Sequence, residues 1–256
     1  MFPLTVKGEC LIKIQNFTTI ESTYGRFIVN RHCAYQADVL IKTGKPHIQP
    51  ELDKILGIVS TLPEESVVLD AGANIGLVTI PVAQLLTKKG GVVHAFEPQR
   101  MMSYALCGAL ALNDLENVEV YHQAVGENNG TLTADHVDYS QPQDFGLFSL
   151  ADQNQSEQHA HAVSVVTIDS LGLPRLDFLK IDVEGMEVDV LRGGREAIES
   201  HLPWCWVEYW KGDIESIKAQ FKDLDYTFYM MDQLNMLCAP NKRMTDSAIT
   251  INAKTM

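Results

Sequence analysis

Residues 67–76 read Val-Val-Leu-Asp-Ala-Gly-Ala-Asn-Ile-Gly, and their reading decides the fold. Val67, Val68 and Leu69 make a short apolar strand that Asp70 closes. Gly72 and Gly76 bracket a tight turn, and a helical run covers Leu77 to Lys89. Glycine lets backbone approach a ligand where a side chain would block it. A turn that feeds a helix N-terminus also leaves amide groups for polar ligand atoms. Pro81 is tolerated only near a first helical turn, so it sets the helix start at about Leu77 or Val78. The amides from Ala73 to Leu77 are then expected to stay in the loop, open to a ligand.

The loop is selective in what it can hold. A dinucleotide fingerprint needs G-x-G-x-x-G, and Asn74 and Leu77 stand where its second and third glycines belong. The Gly-Lys-Ser/Thr of a phosphate loop is absent. The pattern D-x-G-x-N-x-G therefore suits a ligand without a pyrophosphate. Glu97 ends the next strand, Val92 to Glu97, about 20 residues past the loop, where a carboxylate accepts both hydroxyls of a ribose. The two signals together point to an adenosine-type cofactor.

Outward from this pair the chain alternates. Leu52, Ile55, Leu56 and Val59 share one helical face, with Pro50 at the helix start and Glu51 in its first turn, read as a favourable dipole partner. After Glu97 come a helix opened by Pro98 and a third strand, Val118 to Val125. The order β-α-β-α-β implies a parallel sheet with right-handed crossovers. Residues 126–162 interrupt it with a polar insertion, read as a substrate loop. Phe178 to Asp182 is a fourth core strand, Glu184 to Ser200 a broken helix, and Trp204 to Glu208 a fifth strand. Tyr226–Met231 and Met236–Ala239 form a closing antiparallel pair. Residues 1–49 read as a small β-rich appendage, with Tyr24–Val29 and Ala37–Lys42 as strands. Residues 50–256 form the main domain.

Composition narrows the partners. Of 256 residues, 46% are hydrophobic, and the formal net charge is −13. Such a surface repels nucleic acid and anionic membranes. The five cysteines form no C-x-x-C pair, which argues against a disulfide framework. The longest apolar stretch, Ile75 to Leu86, is too short to span a bilayer. The expected setting is the cytoplasm. His159 and His161 alternate but have no third ligand nearby, so no metal site is assigned.

Three motifs in order, the Val67–Gly76 run, His-Ala-Phe-Glu-Pro-Gln at 94–99, and Phe-Leu-Lys-Ile-Asp-Val-Glu-Gly-Met-Glu at 178–187 with Val-Leu-Arg-Gly-Gly at 190–194, resemble the FkbM family of S-adenosylmethionine-dependent methyltransferases. The resemblance covers about residues 50–210. It implies a class I methyltransferase fold, with a Rossmann-like, mostly parallel seven-stranded sheet whose last strand is antiparallel. It also implies roles. Asp70, Gly72, Ala73, Asn74 and Gly76 would face the methionine half of S-adenosylmethionine. Glu97 would hold the ribose, and Gln123 and Ala124 would edge the adenine. Asp182 would lie beside the transferable methyl group.

A hydroxyl acceptor must lose its proton during or before attack, and Asp182 and Glu184 are the local bases. Each has a plainer alternative: Asp182 orienting the cofactor, Glu184 serving the following helix. Lys180 shares a strand face with Asp182 and reads as a buried partner for Asp182 or Glu208. Trp204, Trp206 and Trp210 read as packing. The expected activity is methyl transfer to a small-molecule acceptor, most naturally a hydroxyl of a sugar or secondary metabolite. The alternative is a catalytically silent cofactor-binding module; a nicotinamide oxidoreductase is disfavoured by the loop.

Overall fold

The computed structural model describes residues 15–150, 160–209, 213–246 and 254–255. Strands β1 (Phe17–Ser22) and β2 (Gly25–Asn30) form an antiparallel hairpin. Helix α1 (Ala34–Thr43) follows, where the sequence pointed to a strand at Ala37–Lys42. The correction has a simple cause. Gln36, Ala37 and Leu40 are buried at helical spacing, whereas Ile41 is 65% exposed and only makes the run look continuously apolar.

Helix α2 (Gln49–Ser60) carries Pro50 at its start and buries Leu52, Ile55, Ile58 and Val59. The core alternation is then β3 (Val67–Ala71), α3 (Thr79–Thr87), β4 (Val92–Phe96), α4 (Arg100–Leu112) and β5 (Val118–Tyr121). The expected third strand breaks at His122. Its remainder, β6 (Ala124–Val125), leaves the main sheet and pairs parallel with β8 (His161–Val166), which pairs antiparallel with β7 (Gly130–Ala134).

The chain returns to the main sheet with β9 (Phe178–Ile181) and leads into α5 (Glu187–Gly193) and α6 (Arg195–His201). Next come β10 (Trp204–Glu208), α7 (Ile214–Ala219), β11 (Tyr226–Met230), β12 (Asn235–Pro240), α8 (Asn241–Asp246) and β13 (Lys254–Thr255). The helix expected from Glu184 begins three residues later. Glu184 and Gly185 have φ of 56° and 108°, which no helix accommodates.

The main sheet has the order β13-β11-β12-β10-β9-β3-β4-β5. Strands β3, β4, β5, β9 and β10 pair in parallel, and β12 runs antiparallel to both β10 and β11. The expected seven strands with one antiparallel are present, and the two-residue β13 extends them to eight. Alternation divides the core. Phe178, Trp204 and Trp206 face Ile55, Val59, Val82 and Leu86 from α2 and α3. Leu179, Ile181, Cys205 and Val207 face Val190, Leu191 and Ile217 from α5 and α7.

Strand β3 lies between β4, its successor along the chain, and β9, which arrives more than a hundred residues later. The strand order reverses there, and such a switch point opens a crevice beyond the carboxyl ends of the strands. The hairpin packs against α4. Its Phe27 and Val29 share a cluster with Leu106 and Leu110 of α4. Asn113 accepts from the Arg26 amide (2.8 Å) and donates to the Arg26 carbonyl (2.7 Å). Among the described residues no helix is long and apolar enough to cross a membrane.

Candidate active site

The crevice at the switch point is a cavity whose walls come from several stretches of the chain. The loop after β3 gives Gly72, Ala73 and Asn74, and the end of β4 gives Glu97. The break between β5 and β6 gives Gln123 and Ala124, and the ends of β9 and β10 give Asp182, Glu184 and Glu208. Asp70 and Gly76 stand behind the wall. Asp70 is 1% exposed, accepts from the Thr79 hydroxyl at 2.6 Å and lies 3.3 Å from Lys180 Nζ. Gly76 packs against Leu106 and Ile80. The sequence therefore gathers most of its site residues in one cavity, with Asp70 and Gly76 as its support.

Two backbone features shape the loop. Gly72 has φ of 86°, and a Cβ there would sit 1.7 Å from the Asp182 carbonyl oxygen. Only glycine lets the first loop press against the end of β9. Asn74 has φ of 50°, a left-handed conformation that asparagine tolerates better than most residues. The loop amides from Ala73 to Gly76 are engaged within the protein and not left open to a ligand, contrary to the expectation from Pro81. Ala73 N–H donates to the Phe96 carbonyl (2.9 Å), Asn74 N–H to Glu97 Oε2 (2.8 Å), Ile75 N–H to its neighbour's Oδ1 (2.8 Å) and Gly76 N–H to the Ala73 carbonyl (2.9 Å).

Glu97 is the hinge of this half. Its Oε1 accepts from Gln99 N–H at 2.7 Å while Oε2 holds Asn74, so both oxygens are fixed by backbone. Burial raises its carboxyl to about 7, and those two amides only partly offset the rise. Gln99 donates onward to the Phe145 carbonyl (2.7 Å), which ties the insertion to the same wall. Phe145 is buried beside Tyr139, and Asn30 donates to the Tyr139 carbonyl at 2.9 Å. The part of the insertion at 144–150 thus lines the cavity with Asp144, Gly146, Leu147, Phe148 and Leu150.

Lys180 is the cation of the other half. Its Nζ lies 3.1 Å from Asp182 Oδ2 and 3.3 Å from both Asp70 Oδ1 and the Gly72 carbonyl. Burial alone would lower it, but the charges of Asp182, Asp70 and Glu51 outweigh that and hold it raised. The ion pairs thus run to Asp182 and Asp70 and not to Glu208. Carboxylate oxygens of Asp182, Glu184 and Glu208 lie within 4.8 Å of one another. Burial first, then the charge of Asp182 and a hydrogen bond shared with it, push Glu208 well up.

This geometry meets a family signature. The methyltransferase FkbM domain matches residues 70–234. The chain belongs to the FkbM methyltransferase family. Methyltransferase sdnD of Sordaria araneosa is 27% identical to this FkbM chain over 222 residues, covering 71% of the chain and 83% of the relative. The AMB antimetabolite synthetase AmbE of Pseudomonas aeruginosa is 32% identical over 171 residues, which are 54% of this chain and 8% of that protein. The crystal structure of methyltransferase FkbM from Methylobacillus flagellatus KT aligns with a TM-score of 0.50 at 21% identity, over 68% of this chain and 43% of that one. That likeness is one of fold.

The FkbM chain also places in its cavity residues that sequence reading missed. Glu51 was assigned to the helix dipole. It lines the cavity, where burial lifts its carboxyl to about 7 against the pull of Lys180. Gln36 and His47 enter from α1 and the turn after it. Burial lowers His47, against the charges of Asp144 and Asp182, and its ring packs on Tyr35 with centroids 4.9 Å apart. A proline followed by an acid at a helix start gave no sign that this helix end is buried. His159 and Trp210 lie outside the described residues, and His161 sits on β8, away from the cavity-lining set.

Proposed function

We propose that this chain transfers a methyl group from S-adenosylmethionine to a hydroxyl of a small acceptor such as a sugar or secondary metabolite. The observation that carries the reading is Glu97, a buried carboxylate fixed by two backbone amides at the end of the second core strand, facing the same cavity as Gly72–Asn74 and Asp182. The residues present fit the cofactor. Glu97 keeps lone pairs for two ribose hydroxyls, Gln123 and Ala124 edge the adenine, and Gly72, Ala73 and Asn74 border the methionine half. Asp70 and Gly76 hold that loop from behind.

When bound, the cofactor supplies a methyl group already activated by its sulfonium. The protein's task is then alignment and proton removal. Asp182 stands at the junction of the two halves and Glu184 beside it; they are the bases we assign, with Glu51 across the cavity as a third carboxylate. Gln36, His47, Phe148 and Leu150 form the acceptor side, so the segment 15–49 and the insertion at 135–150 complete the site supplied by the main domain. The acidic surface favours a small molecule over nucleic acid as acceptor.

Calorimetry against S-adenosylmethionine and a nicotinamide cofactor tests the donor. Binding of the first alone is expected, and its absence at millimolar concentration would sink the reading. Transfer of labelled methyl to a panel of sugars and hydroxylated metabolites tests the reaction. Binding with no transfer to any acceptor favours a silent cofactor-binding module.

A further inference from the structure

We infer that Gln99 is a positioning residue: it couples the ribose carboxylate to residues 139–150, so that filling the cofactor side fixes the acceptor side. The inference rests on the functional reading above and deepens it. Gln99 is 5% exposed and bonds in two directions. Its backbone N–H donates to Glu97 Oε1 at 2.7 Å, and its side-chain Nε2 donates to the Phe145 carbonyl, also at 2.7 Å. Pro98 stands between it and Glu97, and the fixed φ of proline leaves that step little slack. Tyr139 packs on Phe145 with ring centroids 5.1 Å apart, and its hydroxyl lies 3.5 Å from Gln99 Oε1. Further on, the Ser149 hydroxyl donates to the Glu184 carbonyl at 2.6 Å. Residues 139–150 thus form a strap tied to Gln99 on one side and to the loop after β9 on the other. Gly146, Leu147 and Phe148, between the two ties, line the cavity.

Coupling needs an element that can change its arrangement. The strap joins none of the three sheets, and its regular element among the described residues is the 3-10 turn Phe145–Leu147. Such a segment opens at far lower cost than a core strand. A ribose that engages the Glu97 carboxylate holds Glu97, and with it the Gln99 amide, in place. The Gln99 side chain then holds Phe145. The reverse follows by linkage: an open strap loosens Gln99 and, through it, the carboxylate. A second route runs past Gln99. A Cβ on Gly146 would lie 3.5 Å from both Asn74 Nδ2 and Gln36 Nε2, so the strap also passes close to the cofactor loop. A Gln99 variant separates the two routes.

Hydrogen exchange of the peptide 139–150, with and without saturating S-adenosylhomocysteine, reads the strap, and calorimetry with the same compound reads the cofactor side. In the wild-type chain the compound is expected to slow strap exchange by roughly tenfold, the worth of one buried hydrogen bond. Gln99→Met keeps the side-chain length and loses the donor. In that variant strap exchange without ligand is expected to be about tenfold faster, and the compound should no longer slow it. Affinity for the compound should stay within about threefold of wild type, because the backbone N–H at position 99 still holds Glu97. A merely structural role would speed exchange in both states and leave the ligand-dependent slowing intact. Slowing that persists in the variant would therefore overturn the inference and assign the coupling to Asn74 and Gly146. A wild-type strap indifferent to the bound compound would overturn it as well. Should Gln99→Met not fold, Gln99→Asn, one methylene too short to reach Phe145, gives the same readout. Failure of the compound to bind the wild-type chain would instead overturn the functional reading.

Discussion

The two halves of the cavity are built on opposite principles. On the cofactor side the backbone amides from Ala73 to Gly76 and both oxygens of Glu97 are already engaged. The loop amides close on Phe96, Glu97, Asn74 and Ala73, and Glu97 is clamped at both oxygens. On the acceptor side the carboxyls of Glu51 and Glu208 are displaced upward by burial, and His47 Nδ1 is buried without a hydrogen-bond partner among the described residues. Pre-organised groups hold a ligand without reorganising, whereas unsatisfied buried groups cost free energy until something binds them. The first half suits a ligand that is always the same, the second a ligand that arrives with its own charge and hydrogen bonds.

The contrast breaks most severely at the cofactor loop. Gly72→Ala puts a methyl group 1.7 Å from a backbone oxygen while also forcing a positive φ on a residue that resists it. Neither strain has a flexible side chain to absorb it. A loss of about 3 kcal/mol or more is expected, read as a fall in the thermal midpoint. A variant of wild-type stability would mean that the loop is looser than its hydrogen bonds imply.

Asp182→Asn tests the boundary between the halves. The side chain reaches Lys180 but is about a third exposed, so removing its charge spares the fold. A roughly hundredfold slower methyl transfer with cofactor affinity changed by less than about threefold is expected for a base. Equal losses in rate and affinity would assign Asp182 to the cofactor side alone. Glu97→Ala should act the other way. It strips the Asn74 and Gln99 amides of their acceptor and the ribose of its partner, and cofactor affinity should fall by about thirtyfold or more in calorimetry. Unchanged affinity would remove Glu97 from the ribose role.

The difference between the halves also explains what the sequence disclosed. Strand β3, its glycine turn and Glu97 are close in sequence and obey local rules: an apolar run, a left-handed turn, a strand end. Their meaning survives folding. The acceptor side is assembled from α1, α2, the insertion and β10, and its character comes from burial that no local pattern records. Glu51 illustrates this: a first-turn acid is ordinary on a surface helix, and only its burial, near the charge of Lys180 and hydrogen-bonded to Trp206, makes it a cavity wall. Helix α1 failed for a nearer reason, since one exposed isoleucine hid its period. The strand expected to continue to Val125 failed because its last two residues find a better partner in β8 than in β4.

The mildest test uses pH and probes the cofactor side without mutation. Glu97 titrates near 7 in the folded, unliganded chain, above the ordinary glutamate value, because it is buried. A group raised in this way contributes stability that is fully present below its unfolded value and is lost as pH rises through the folded one. Glu51 follows the same rule. The unliganded chain should therefore melt a few degrees lower at pH 8 than at pH 5, as far as these two groups decide it. Ribose hydroxyls donate to the ionised carboxylate, so cofactor binding must first remove the Glu97 proton. Affinity should accordingly rise about tenfold between pH 6 and pH 8 and level off above. Adenosine alone, which carries the ribose but not the methionine half, is expected to show this rise; an adenosine affinity independent of pH would take the titrating proton away from Glu97.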